Sequence, residues 1–153
     1  MSKSDISIIR ANADDAPILA KFVGRLLVEL TGDADLELNG LLPVARQLLA
    51  DGAITAFIAK EQDQVVGVIV LNTCAAIYAG GYFGEITELY VNPEHRSLGV
   101  AALLIQEAQK FGKQQNWKRL EVGAPQQPEW ARTVQFYLKE GFEEVGPRLR
   151  KVL

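Results

Sequence analysis

A loop of small and short residues, Arg96-Ser97-Leu98-Gly99-Val100-Ala101, stands where a β-prone run gives way to a helical one. The first amides of a helix have no partner inside it, and they carry a partial positive charge. Gly99 and Ala101 leave room for a phosphate to reach those amides, and Arg96 adds a full positive charge. The loop therefore predicts a phosphate-binding turn, although a lone glycine motif is equally typical of an ordinary strand-to-helix connection.

Two elements must position this loop. A β-prone run from Glu85 to Val91 leads into it through Asn92-Pro93, and a helix follows it. The helix is amphipathic, because its apolar residues recur at a period of about 3.6 residues. That apolar face consists of Val100, Leu104, Ala108 and Phe111, with Ala101 and Ile105 beside it. The sequence thus predicts a strand, a turn and a long helix around the candidate site.

The other segments alternate between helical and β-prone patterns. Apolar spacing and capping residues predict helices that end at residues 31, 50 and 140. Further strands are expected over ranges 6–10, 53–59, 65–71, 117–123, 142–145 and 149–153, with 73–84 as a loop. This order mixes hairpins with a crossover, which predicts an α+β fold in a single domain spanning residues 1–153. The sheet is expected to be mixed and mostly antiparallel, with about seven strands flanked by about four helices.

Composition narrows the class of protein. The chain has 153 residues, 48% hydrophobic and 23% charged, which is typical of a soluble globular domain. A net charge of -3 argues against a nucleic-acid partner. The single cysteine, Cys74, cannot form an internal disulfide, and one cysteine with one histidine is too few for a zinc site. With no signal-like or membrane-spanning run, we expect a cytoplasmic protein with no bound metal and no membrane partner.

A second motif lies about 35 residues beyond the loop in the sequence: Phe136-Tyr137-x-x-x-Gly141-Phe142. Together with Arg96-x-x-Gly99-x-Ala101 on a helix start, and the strand ending Leu89-Tyr90-Val91, it resembles the GCN5-related N-acetyltransferase (GNAT) superfamily. The resemblance covers nearly the whole chain, since the order of elements also looks like the GNAT fold. It implies acetyl-CoA as co-substrate and an N-acetyltransferase activity.

The resemblance also implies which residues hold the cofactor. The backbone of Leu89, Tyr90 and Val91 would pair with the pantetheine arm much as an added strand pairs with a sheet edge. The amides of the loop would cradle the pyrophosphate, and Phe136 and Tyr137 would lie near the thioester. The loop residues are Arg96, Ser97, Leu98, Gly99, Val100 and Ala101. Leu98 departs from the basic or polar residue common in the family, so one cationic contact is expected to be missing.

Acetyl transfer to an amine needs few groups. The amine must lose a proton, which a carboxylate can take, and the leaving thiolate must gain one, which a tyrosine can give. The resemblance assigns Tyr137 as the general acid. Glu88 is the leading candidate for the base, and Glu121, Glu85 or a chain of waters are the alternatives. Strict alternation along the strand would place Glu85 and Glu88 on opposite faces.

The leading interpretation is an acetyl-CoA-dependent N-acetyltransferase in which a primary amine attacks the thioester directly. The alternatives are an acyltransferase that uses another acyl-CoA and a catalytically inactive CoA-binding module. The acceptor is a small-molecule or peptide amine, and the acidic loop Asp33-Ala34-Asp35-Leu36-Glu37 would favour a cationic one. A homodimer is possible because relatives often form one. His95 is expected to be a surface residue.

Overall fold

The computed structural model describes residues 5–123 and 130–153. Its centre is one mixed sheet whose spatial order follows the chain. The first four strands pair antiparallel, and the last is parallel to its neighbour. The strands are β1 Ile6–Arg10, β2 Ile54–Glu61, β3 Gln64–Ala76, β4 Gly81–Val91 and β5 Leu120–Val122.

Four α-helices flank the sheet in the described residues: α1 Ala16–Thr31, α2 Leu41–Ala50, α3 Val100–Gln114 and α4 Ala131–Lys139. Helix α1 covers one face, where Leu19 and Phe22 pack with Tyr90 of β4. Helix α3 covers the other face, where Leu104 and Ile105 pack with strand side chains. None of the described helices is long and apolar enough to cross a membrane.

The expectation of about seven strands is wrong: the described residues form five, and 142–153 contain none. An alternating pattern gives a strand only where a partner covers its apolar side. Leu149 and Leu153 instead stay exposed, at 93% and 113% of their reference area. Gly141 and Gly146, at φ 97° and 125°, turn the chain through left-handed conformations on either side of residues 142–145, one of the two segments predicted to be strands.

The expected loop over 73–84 is mostly strand. Strand β3 continues to Ala76 and β4 begins at Gly81, so that Cys74 pairs with Phe83. The two strands form one long hairpin whose turn includes Gly80 in a left-handed conformation, φ 81°. The β-propensity of residues 73–84 is weak, but the backbone hydrogen bonds between β3 and β4 stabilise the strands in spite of it.

Trp117 fixes the junction between α3 and the sheet, and it requires glycine at two places. A Cβ added at Gly84 of β4 would overlap the six-membered ring of Trp117, and one at Gly112 of α3 would lie 2.8 Å from its Cε3. We therefore expect Gly84→Ala to lower the free energy of unfolding by about 1–3 kcal/mol, the usual cost of overpacking. Urea denaturation measures this change.

The matched control is Gly40→Ala, since nothing lies within 4 Å of the Cβ that it would add. A second variant, Gly84→Ala with Trp117→Leu, should lose less stability than the sum of the two single changes. Additive losses would show that Trp117 is not the reason for glycine at this position.

Candidate active site

Strands β4 and β5 pair over three residues in the part of the chain that the structure describes. Their parallel pairing joins Gly84 to Leu120, Glu85 to Glu121 and Ile86 to Val122. Beyond Ile86, the described part of the chain pairs β4 with β3 alone. Within the described residues, the other backbone edge of residues 87–91 has no strand partner. Such an edge can accept an extended ligand through main-chain hydrogen bonds.

A β-bulge at Thr87 changes which side chains share a face. In the ladder, Val70 faces Glu88 and Asn72 faces Glu85, while Thr87 has no partner on β3. Val70 and Asn72 are two apart on β3 and so lie on the same side, which places Glu85 and Glu88 on one face. The expectation that strict alternation separates these two carboxylates is wrong. Glu121 joins them, because it lies opposite Glu85 in the parallel register.

The three carboxylates have different partners. Arg148 forms an ion pair with Glu85, and Arg119 contacts Glu121 at 2.6 Å. Glu88 instead accepts a hydrogen bond from the Thr87 hydroxyl at 3.0 Å. Burial, and to a smaller extent the nearby Glu85, raise the pKa of Glu88, against a lowering by Thr87. Because two of the three are neutralised by arginines, Glu88 is the carboxylate whose chemistry suits proton uptake.

The loop before α3 turns through two left-handed backbone conformations. Ser97 and Gly99 both have positive φ, 67° and 85°, and Gly99 is the N-cap of the helix. Successive amides in such alternating conformations point toward a common centre and bind anions. No side chain in the described residues caps the helix start. The cradle predicted from the sequence therefore offers main-chain donors rather than a capping side chain to an anion.

The side chain of Arg96 points away from this cradle. Its Nε donates to the carbonyl of Val91 at 2.9 Å, and its Nη2 donates to both carboxylate oxygens of Glu29 at 2.8 and 3.0 Å. The guanidinium also lies over the ring of Tyr90, 5.1 Å from the centroid. In this structure Arg96 therefore contributes to the cradle through its backbone position rather than by a free positive charge.

The other predicted cofactor-binding residues surround the same edge and loop. Tyr90, Val91 and Val100 are buried, and Leu89 and Ala101 pack against the core on the α3 side. Leu98 is 37% exposed, which leaves an apolar side chain at the position of the missing cationic contact. These side chains fix the loop and the strand end, so contacts to a ligand there would come from the backbone.

Tyr137 lies on α4 and is 9% exposed. It belongs to the core on the α3 side, with Phe136 and Phe142 each at 5.5 Å between ring centroids. Burial raises the pKa of Tyr137 to about 12. The phenol therefore keeps its proton throughout the physiological range, as a proton donor must.

An open cavity of about 1440 Å³ borders Tyr137, Glu85 and Glu121 together, and it extends around the end of the sheet formed by β5. Glu88 does not line this cavity. Tyr137 and Glu88 lie on opposite sides of the sheet, Tyr137 with the α3-side core and Glu88 on the face that α1 covers. A ligand along the edge of residues 87–91 would thus have the candidate acid on one side of the sheet and the candidate base on the other.

Two functional features have no clear signal in the sequence. The bulge at Thr87 appears only once β3 and β4 are paired, and Glu29 becomes relevant only through its long-range contact with Arg96. His95, expected at the surface, is 4% exposed and has Nε2 3.9 Å from Glu61. The 3₁₀ turn Pro93–His95 folds it inward, which spacing along the chain does not predict. The described residues contain no cluster of three metal-ligating side chains.

Comparison with known families agrees with this geometry. The family described as "Acetyltransferase (GNAT) domain" matches residues 52–144, which is more than half of the chain. The match includes strands β4 and β5, the loop before α3 and Tyr137. The chain therefore belongs to the GNAT family and is a GNAT-type N-acetyltransferase. No curated protein matches the sequence closely enough to count as a relative.

Solved structures show the same fold across almost the whole chain. An aminoglycoside acetyltransferase, meta-AAC0020 from an uncultured soil metagenomic sample, has a TM-score of 0.81 at 18% identity, covering 99% of this chain and 98% of its own. Ribosomal-protein-alanine N-acetyltransferase from Brucella melitensis biovar Abortus 2308 has a TM-score of 0.71 at 21% identity, covering 95% and 99%. Aminoglycoside N-acetyltransferase AAC(6')-Iy, in complex with CoA, has a TM-score of 0.77 at 17% identity, covering 97% and 94%.

Proposed function

We propose that this protein transfers an acetyl group from acetyl-CoA to a primary amine by direct attack of the amine on the thioester. This proposal is supported mainly by the position of the cradle next to the unpaired edge of β4. The cradle of amides at Ser97 and Gly99 opens beside the unpaired edge of β4 at residues 87–91. A diphosphate bound in the cradle would place the attached pantetheine arm along that edge.

Acetyl-CoA supplies an activated acetyl group and a thiol leaving group, and the protein supplies position and proton transfer. Glu88 takes the proton of the attacking amine, directly or through a water. Tyr137 donates its proton to the departing sulfur from the opposite side of the sheet. Holding two reactants in line accounts for a large part of the acceleration in such reactions.

The acceptor is a small-molecule or peptide amine that carries positive charge. Glu88 is the carboxylate of this face that has no arginine partner in the described residues, and the exposed residues Asp33, Asp35 and Glu37 follow the helix that covers the face. Negative charges grouped on a surface attract cations and raise their local concentration. Structures of similar fold include enzymes whose names specify aminoglycosides and a ribosomal protein, so both acceptor classes belong in the test.

The direct test combines binding and turnover. Titration calorimetry should show that the protein binds coenzyme A, and thiol release from acetyl-CoA should require an added amine. The amine panel should span aminoglycosides, polyamines, amino acids and peptides, each with propionyl-CoA and a longer acyl-CoA as alternative donors. Absence of coenzyme A binding would contradict the proposal. Binding without turnover on any amine or donor would instead favour an inactive CoA-binding module.

Gly99→Ala tests the cradle itself. Residue 99 has φ 85°, a conformation that disfavours any Cβ, so alanine would shift the backbone that carries the amides of the helix start. We expect the dissociation constant for coenzyme A to rise about tenfold or more, since one decade corresponds to about 1.4 kcal/mol. Calorimetry with coenzyme A measures this change.

The matched control for that variant is Gly32→Ala, at the C-terminal end of α1. Gly32 has a similar φ of 71°, and nothing lies within 4 Å of the Cβ that alanine would add. The control should carry the same backbone strain while leaving the affinity for coenzyme A intact. Equal losses of affinity in both variants would mean that Gly99 acts through general stability.

A further inference from the structure

Arg96 and Glu29 join two distant parts of the chain at the start of the cradle. Arg96 is held by the carbonyl of Val91 and by the carboxylate of Glu29 on α1. The side chains of Arg96 and Glu29 are 43% and 31% exposed, and a simple ion pair at that exposure is worth little. Here, however, three hydrogen bonds and the ring of Tyr90 fix one guanidinium in one place.

The residue that follows Arg96 is under backbone strain. Ser97 has φ 67°, a left-handed conformation that is unfavourable for a residue with a Cβ. Such a conformation persists only where the surrounding contacts hold it. The backbone on its N-terminal side is fixed through Arg96, and on its C-terminal side the chain continues through Gly99 into α3.

We propose that Glu29 is a positioning residue for the donor substrate: its carboxylate anchors Arg96, and this anchor keeps Ser97 in the left-handed conformation that aims the cradle amides at the diphosphate. The inference rests on the proposed function for its ligand and extends it to a residue outside the family motif. It also links the cradle to α1, the helix that leads into the acidic loop on the acceptor side.

A second contact on α1 supports this role. Arg25 lies one helical turn before Glu29, and its Nη1 donates to Oδ1 of Asn92 at 2.9 Å. Asn92 is 6% exposed and also donates from Nδ2 to the carbonyl of Val65 at 3.4 Å. The same face of α1 therefore holds both the end of β4 and the start of the cradle, so the position of α1 and the shape of the cradle are coupled.

The test is a double-mutant cycle between Glu29→Ala and Ser97→Gly. Glycine adopts the left-handed conformation without strain, so it should no longer need the anchor. We expect Glu29→Ala to raise the dissociation constant for coenzyme A about tenfold with Ser97 present and less than about twofold with glycine there. In turnover, KM for acetyl-CoA should rise while kcat changes little.

Hydrogen exchange in the ligand-free protein gives a readout that does not depend on coenzyme A. Glu29→Ala should speed exchange of the amides of residues 97–101 when Ser97 is present, and have a much smaller effect when glycine replaces it. Glu94→Gln is the control, because Glu94 is an exposed acidic residue in the adjacent turn. This variant should change neither the exchange nor the affinity.

The outcomes separate the two proposals. No effect of Glu29→Ala on exchange, or equal effects with serine and with glycine at position 97, overturns the positioning role. Wild-type protein that fails to bind coenzyme A overturns the proposed function, and the exchange measurement still decides whether Glu29 holds the loop.

Discussion

Replacing Tyr137 by phenylalanine is expected to lower kcat about 100-fold or more, because the variant loses the proton donor for the leaving thiolate and keeps the ring. The ring is buried between Phe136 and Phe142, so phenylalanine fills the same space. The affinity for coenzyme A should stay within about threefold of wild type, since the hydroxyl is not part of the diphosphate cradle. Steady-state kinetics with acetyl-CoA and calorimetry with coenzyme A separate these two quantities.

The raised pKa of Tyr137 predicts how activity and stability depend on pH. Burial raises the pKa to about 12, so the phenol remains protonated while the acceptor amine, with a usual pKa of about 10.4, loses its proton. Loss of the acid by ionisation should therefore not limit the wild-type enzyme below pH 10. The same shift means that the folded state binds this proton more tightly than the unfolded chain does, so stability falls as pH rises from about 10 towards 12.

Tyr82→Phe is the matched control, because Tyr82 lies on β4 with 62% of its surface exposed. It removes the same hydroxyl from a site outside the cavity lining and should leave kcat within about twofold of wild type. If Tyr137→Phe also keeps full turnover at every pH, Tyr137 is a packing residue and the sulfur gains its proton from water.

Replacing Glu88 by glutamine is the second change with a large expected effect. It should lower kcat/KM about 100-fold, because the amide keeps the shape of the side chain but cannot take up a proton. In the wild type, activity should fall as pH drops through the pKa of Glu88, which burial raises above its usual value. The activity of the variant should not show this fall at low pH that Glu88 causes, and its pH dependence should reflect only the ionisation of the amine.

Stability provides an independent check on the same variant. A raised pKa means that the folded protein binds the Glu88 proton more tightly than the unfolded chain does, so ionising this carboxyl destabilises the fold. Glu88→Gln should therefore melt at a higher temperature than wild type at neutral pH. The difference in melting temperature should vanish below the pKa that Glu88 has in the unfolded chain, because Glu88 is then protonated in both the folded and the unfolded state. Melting curves at pH 4 and pH 7 decide this.

Glu85→Gln and Glu121→Gln are the matched controls for the base, because both lie on the same face and pair with arginines. They are expected to raise KM for a cationic acceptor while keeping the acid limb of the pH profile. Loss of that limb in either variant, with Glu88→Gln still active, would reassign the base. If all three variants keep the limb, a chain of waters carries the proton.

The resemblance of local motifs was enough to predict the family. Arg96, Gly99 and Ala101 belong to one short loop, and a cradle made of consecutive amides depends only on local backbone geometry. The helices were equally predictable, since α1 ends at Thr31 and α2 at Ala50, as expected from their apolar spacing and capping residues. Periodicity is strongest where one face of a helix is buried along its whole length.

The number and the lengths of the strands are set by strand pairing, which local sequence patterns do not predict. The five-strand sheet, the extension of β3 to Ala76 and the absence of strands over 142–153 all depend on which edge finds a partner. The bulge at Thr87 is also a property of two strands together, and it moves Glu85 onto the face of Glu88. An argument from alternation within one strand cannot detect such an extra residue.

The sequence by itself determined the class of enzyme, because each of the motifs that indicate it is made of neighbouring residues. Only the tertiary structure decided the direction of the Arg96 side chain, the burial of His95 and the grouping of three carboxylates on one face. The physical reason is the same in each case. These features arise from contacts between residues far apart in the chain, and their energies depend on burial and pairing that no local pattern encodes.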